Sequence, residues 1–270
     1  MKKFIFPLLA MFVVPALAAN IELDNLSQKD VDNVSTEFAG NFSHTAVAAP
    51  ETDGMWGVEV GVIAGTTGSP KLKKVIDGAG GQGKDFKTLY HAGLAARAHF
   101  PGDLFIEGSL LPERKISDVA VAASSLGLGW NAGAFFGLPV DLAIGAQRST
   151  HDIEFKQIIQ NASTGNVPVN SKISLDGTTN VYWVGASKTL LFITPYVKIG
   201  MASQESDLKV NGQGTIFNTA FTSSQKAKGE NDGSYFVAGA NLQLAFFKLG
   251  FEWGQTMGVK RASGKISLDF

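Results

Sequence analysis

The sequence contains no cysteine. That excludes a disulfide framework, thiolate metal sites and a cysteine nucleophile. Charge is scarce too, at 17% of residues against the usual quarter. The signs nearly cancel, with 23 Lys and Arg against 24 Asp and Glu, and no block of like charge interrupts the chain. Such a chain has no electrostatic footprint for nucleic acid and no charged binding tail. Long apolar runs are also missing. Beyond the first 18 residues no run reaches the length of a membrane-spanning helix. Glycine, by contrast, is abundant, with 31 residues among 270 and no collagen-like period. A chain poor in charge and rich in glycine is made of many tight strands or lives in lipid. Both readings apply here.

The first 18 residues read as a secretory signal peptide. Met1-Lys2-Lys3 is a short basic start, Phe4 to Leu17 is uncharged, and Ala16-Leu17-Ala18 is a small-x-small cleavage pattern. The mature chain is expected to begin near Ala19 with 21 basic and 24 acidic residues, a net charge of −3. Residues 19–54 are expected to form a periplasmic segment with a short amphipathic helix. Ser27 precedes Gln28-Lys29-Asp30 in a capping-box-like start, and Val31, Val34, Phe38 and Phe42 follow at helical spacing. Three roles are open for this helix: a cover for apolar surface at the membrane edge, a plug in a barrel lumen, or a clasp on a neighbouring subunit.

From residue 55 the period becomes two. Trp56, Val58, Val60, Val62 and Ala64 alternate with Gly57, Glu59, Gly61, Ile63 and Gly65. Tyr90, Ala92, Leu94, Ala96, Ala98 and Phe100 alternate with His91, Gly93, Ala95, Arg97 and His99. The pattern recurs near 104–110, 126–136, 142–147, 182–189, 193–201, 236–244, 249–254 and 262–270, which makes ten strands. A soluble sandwich also alternates, but its polar face carries Lys and Glu. Here that face is dominated by Gly, Ser, Thr and Asn. The connections alternate short (101–103, 137–139, 190–192, 245–247) and long (66–87, 155–178, 203–233), as in outer-membrane barrels with periplasmic turns and outer loops. An even strand count puts both ends of the barrel on the short-turn side. The expected fold is all-β: a transmembrane antiparallel barrel over 55–270. Twelve strands are the alternative, should 206–222 fold back as a further hairpin.

The inward positions carry a mixed-sign belt. Glu59, Arg97, Glu107, Lys198, Glu252 and Lys265 all point inward at similar depth, with His91 on the same face. Either they form an internal ion-pair network that fills a narrow barrel, or they form a constriction that sorts solutes by charge and size. The outward faces include small residues: Ala92 and Ala96, Ala132 and Ala134, Ala238 and Ala240. Close packing between membrane proteins favours small side chains. Together with Val31, Val34, Phe38 and Phe42 these positions are the expected contacts of a homo-oligomer. Catalysis has little support. His151 and Asp152 are adjacent, so on a strand they face opposite ways. His91 and His99 lack an inward Ser with a supporting motif, Ser109 being the nearest. Gly78 to Gly83 lacks the Lys-Ser/Thr of a phosphate loop. No catalytic residue, cofactor or metal site is expected.

The end of the chain carries a resemblance. Phe270 is terminal, preceded by Leu268 and Ile266 alternating with Ser267 and Asp269. This resembles the last strand of Gram-negative outer-membrane proteins, which implies recognition of Phe270 by the barrel-assembly machinery. Residues 55–270 as a whole resemble the outer-membrane β-barrel class. The stretch Leu26-Ser27-Gln28-Lys29-Asp30-Val31-Asp32, with Phe38 and Asn41-Phe42-Ser43, is similar to porin-like proteins of predatory and related bacteria. The resemblance implies an outer-membrane protein in contact with lipid, serving passive solute passage or a structural role. Two alternatives are carried forward: a surface interaction barrel acting through its outer loops, and a narrow transporter for a hydrophobic ligand.

Overall fold

The computed structural model describes residues 28–52, 55–78, 87–116, 119–160, 168–211, 214–216, 219–221 and 225–270. The expected signal peptide (1–18) and the glycine-rich stretch at 79–83 lie outside them. The elements are α1 (Gln28–Phe42), β1 (Gly57–Gly68), α2 (Pro70–Gly78), β2 (Thr88–Phe100), β3 (Leu104–Ile116), β4 (Val119–Asn131), α3 (Ala132–Phe135), β5 (Asp141–Gln160), β6 (Pro168–Ser187), β7 (Ile193–Asn211), β8 (Gly214–Ile216), β9 (Thr219–Phe221), β10 (Gln225–Leu244), β11 (Phe247–Thr256) and β12 (Val259–Asp269). Among the described residues ten strands form one closed antiparallel barrel in the order β1-β12-β11-β10-β7-β6-β5-β4-β3-β2. β8 and β9 pair only with each other, so the hairpin weighed for 206–222 exists at 214–221 but does not enter the barrel.

Closure removes the open edges that a flat sheet would leave unpaired. The seam joins β1 to β12 from Glu59↔Asp269 to Thr67↔Arg261. The terminal residue completes it: Val58 N–H donates to Phe270 O at 3.0 Å and Phe270 N–H to Val58 O at 2.9 Å. The tight connection between β11 and β12 places Met257 (φ 52°) and Gly258 (φ 81°) in its two central positions. A type I′ hairpin requires positive φ at both.

The outward face is apolar, with Val60, Leu94, Leu128, Ile144, Val184 and Phe251 all exposed. Aromatic rings gather at the short-turn end. Trp56 meets Phe100 edge-on at 5.0 Å, Trp130 meets Phe135 at 5.6 Å, and Phe246 lies 4.4 Å from Phe247. The expectation that 126–136 is one strand is corrected here. β4 stops at Asn131, whose side chain accepts from Ala134 N–H at 3.0 Å and starts the short helix α3. Ala132 and Ala134 therefore sit in a turn and belong to no outward strand face.

The long loops expected at 155–178 and 203–233 are also corrected. β5, β6 and β10 run for 20 residues each and β7 for 19. At roughly 3.3 Å per residue these strands are about 65 Å long, twice the 9–11 residues that cross a bilayer. They pair along nearly their whole length and raise a wall on one side of the barrel. On the other side β11 and β12 have 10 and 11 residues.

α1 lies inside the barrel, in the plug position that was one of the three roles open for it. Phe38 and Phe42 are buried in a cluster with Leu72 of α2 and with Ala123, Ile153 and Leu175, which take inward strand positions in the half of the barrel away from the short turns. Val34 packs against the same cluster and Val31 is buried. These four side chains face the lumen, so they are not available as contacts to a neighbouring subunit. Their apolar stripe is satisfied by the barrel's own interior.

Candidate functional site

Because alternate strand residues point inward, the lumen wall is set by the even spacing of a few polar side chains. Glu59, His91, Arg97, Glu107, Lys198, Glu252 and Lys265 are all buried there. Lys248, Arg261 and Tyr196 join them, and so do residues 43–50, which run through the bore below α1 and are buried throughout. Residues 28–52 form one plug: a helix in the outer half and an extended chain in the half nearest the short turns.

The plug is tied in from top to bottom. Glu37 accepts backbone N–H groups from Lys71 at 2.7 Å and Leu72 at 2.6 Å, so its carboxylate serves the unpaired first turn of α2. Burial pushes the Glu37 carboxyl above its ordinary range, against the pull of those two N–H donors. Lower down, Gly40 packs against β12. A Cβ there would lie 2.6 Å from Cβ of Val259. Asn41 Oδ1 is 3.1 Å from His91 Nδ1, and Ser263 Oγ is 3.0 Å from Nε2. An amide oxygen only accepts, so His91 donates from Nδ1 and accepts from Ser263. His44 lies 3.0 Å from Glu107 Oε1 and 2.6 Å from Ser125 Oγ.

Two arginines grip the plug by its main chain. Arg261 donates to the carbonyls of Ser43 at 3.1 Å, His44 at 3.3 Å and Gly40 at 3.5 Å, and pairs with Glu252 at 3.3 Å. Arg97 donates to the carbonyls of Ala49 and of Glu51, the latter at 3.0 Å. Its guanidinium lies 4.2 Å over the Phe105 ring and its Nε is 3.9 Å from Glu107. The remaining charges also have partners, as buried charges must. Lys265 pairs with Glu59, Lys248 lies 3.7 Å from Glu59 and 3.3 Å from Asp269, and Tyr196 donates to Glu252 at 3.0 Å. Lys198 sits 4.8 Å over the Trp183 ring. At the mouth Thr52 donates to Asp103 at 2.8 Å.

Other predicted positions touch this set at its margin or lie outside it. Ser109 is bonded to Ser125 at 2.6 Å. His151 points inward against Phe42, with ring centroids 5.8 Å apart, while Asp152 faces out. On the outer face of the raised wall a trough of about 540 Å³ crosses β3 to β7 and β10. Thr150, Asp152, Asp176, Thr178, Glu205 and Asp207 are among its lining residues. Ala92, Ala96, Ala238 and Ala240 occupy outward strand positions, and Phe270 holds the seam. Sequence reasoning missed Arg261 and Lys248 as members of the belt, although Arg261 has inward parity. It also missed His44, whose segment carries no periodic signal.

No curated protein matches the chain. Among solved structures it is similar to the translocator domain of the autotransporter NalP from Neisseria meningitidis (9% identity, 82% of this chain and 89% of that one, TM-score 0.41). It is also similar to Ail, the attachment invasion locus protein of Yersinia pestis (12% identity, 80% and 97%, TM-score 0.28). A third is a mutant of the monoaromatic hydrocarbon channel TodX (9% identity, 87% and 75%, TM-score 0.36). Each overlap is loose. A family match covers almost the whole chain, over residues 8–254, and by it the chain belongs to DUF6588, a family of unknown function.

Proposed function

We propose that the protein is an outer-membrane, porin-like barrel held closed by its own N-terminal segment. The signal peptide, the terminal Phe270, the outward apolar band and the aromatic rings at the short-turn end support the membrane setting. One observation carries the conduit reading: the lower plug is held by polar contacts to a polar wall. Arg97, Arg261, His91, Glu107 and Asn41 make hydrogen bonds that water can replace. A permanently filled core of this volume would be as stable or more so with apolar side chains. The test is conductance in planar bilayers. The full chain should be silent, and the chain lacking residues 20–54 should conduct. Ala92, Ala96, Ala238 and Ala240 are the surface assigned to a homo-oligomer. Light scattering in mild detergent checks it, since a protein mass of about 27 kDa, the chain less its signal peptide, would mean a monomer.

A second reading rests on the raised wall and its outer trough. Strands twice the length needed to cross a membrane present a surface to partners outside the cell. Silence of both the full and the shortened chain, with the barrel intact, favours this reading over the conduit.

A further inference from the structure

The strands and the plug do not balance charge in the same way. Among the described residues, the buried strand side chains in the lumen comprise five bases, Arg97, Lys198, Lys248, Arg261 and Lys265, against three acids, Glu59, Glu107 and Glu252. Lys248 also pairs with Asp269 at the short-turn mouth, which leaves an excess of one positive charge. Two of these bases, Arg97 and Arg261, make most of their hydrogen bonds to plug carbonyls: Ala49 and Glu51 for Arg97, Gly40, Ser43 and His44 for Arg261. Carbonyl oxygens are the negative ends of peptide dipoles. The plug's main chain thus stands where counter-anions would stand.

We propose that with the N-terminal segment withdrawn the lumen conducts small inorganic anions, with Arg97 and Arg261 taking the anion in place of the plug carbonyls. The inference rests on the conduit reading. The vacated bore is narrow: a helix with its side chains is about 10–12 Å across, and an extended chain occupies less. An ion passing through it stays within reach of both guanidiniums. Walls of low dielectric lined by one excess sign focus the field along such a path. Asp103, Asp141 and Asp269 lie near the short-turn mouth, where the bore meets bulk water and screening is strongest.

The test uses the chain lacking residues 20–54, shown to be folded by its heat-dependent gel shift, in planar bilayers under a KCl gradient. The reversal potential should give chloride at least roughly threefold the permeability of potassium. Replacing both Arg97→Gln and Arg261→Gln in the shortened chain should bring the ratio to one or below. Equal permeability or a preference for potassium in the unsubstituted shortened chain overturns this inference and leaves the conduit standing. Should the shortened chain not fold, Gly40→Val in the full chain replaces it. Its side chain would collide with Val259 and push α1 off β12 while every lumen charge stays in place. Its openings should show the same chloride preference, and a folded, silent Gly40→Val chain overturns both the conduit and the inference.

Discussion

Removing the Arg261 guanidinium tests how the plug and the wall are coupled. Arg261→Met keeps an unbranched apolar stem and deletes the guanidinium with its charge. Glu252 then stays buried, 3% exposed, with Tyr196 as its remaining hydrogen-bond donor among the contacts described. Breaking a buried pair by removing one partner costs about 3–5 kcal/mol. The carbonyls of Ser43 and His44 lose a charged donor as well. In the double variant Arg261→Met, Glu252→Gln no charge is stranded, and the introduced amide oxygen can still accept from Tyr196. What remains is the loss of hydrogen bonds to a charged group, about 1.5–3 kcal/mol. The double variant should therefore be more stable than the single one. Urea unfolding in phospholipid vesicles, followed by tryptophan fluorescence, measures both, and protease exposure of residues 28–52 reports the plug. If the single variant lies within about 1 kcal/mol of the wild type, or the double variant is the weaker of the two, Arg261 does not tie plug to wall in this way.

Three further outcomes follow from the geometry. Leu94→Arg, on the outward face of β2, should cost about 2–4 kcal/mol in vesicles, and a cost near zero would mean that this face does not meet lipid. Deleting Phe270 removes both backbone bonds that close the seam to Val58 and should leave unassembled chain in the periplasm; normal assembly of a chain ending at Asp269 would show the seam closes without it. Gly177→Ala places a Cβ against the His151 ring and should destabilise the upper barrel, with His151→Ala restoring much of the loss, while additive costs in the double variant would separate the two positions.

The strands within the apolar band were legible because their two faces meet different media. Leu94 and Leu128 face out while Arg97 and Gly127 face in, so period two is written directly into the chain. Above that band the signal disappears. Residues 174–179 read Ser-Leu-Asp-Gly-Thr-Thr, with no apolar outward face, and look like a loop. They are strand because β5 and β7 pair with them on both sides, a tertiary cause that no local pattern reports. The helix α1 was legible from Val31, Val34, Phe38 and Phe42, but not what it meets. Its partners Leu72 and Leu175 lie in segments that read as outer loops and Ile153 lies past the strand read at 142–147, so an apolar inner surface at that height was hidden. The charges of the belt could be placed by parity. The plug carbonyls that hold Arg97 and Arg261 are main-chain atoms, and no residue type announces them.

The central claim is that residues 28–52 occupy the barrel lumen. Ser43 Oγ lies 3.4 Å from Thr256 Oγ1, joining the plug to β11. Side chains in hydrogen-bond contact bring substituted cysteine sulfurs within reach of each other, a disulfide needing Cβ atoms about 3.5–4.5 Å apart, and the chain has no other cysteine to compete. Ser43→Cys with Thr256→Cys, expressed in intact cells and mildly oxidised, should form an intrachain disulfide nearly quantitatively. After boiling, the linked species should run faster on a denaturing gel and revert on reduction. A folded, membrane-inserted barrel in which both cysteines stay reduced and react freely with a maleimide would contradict the account.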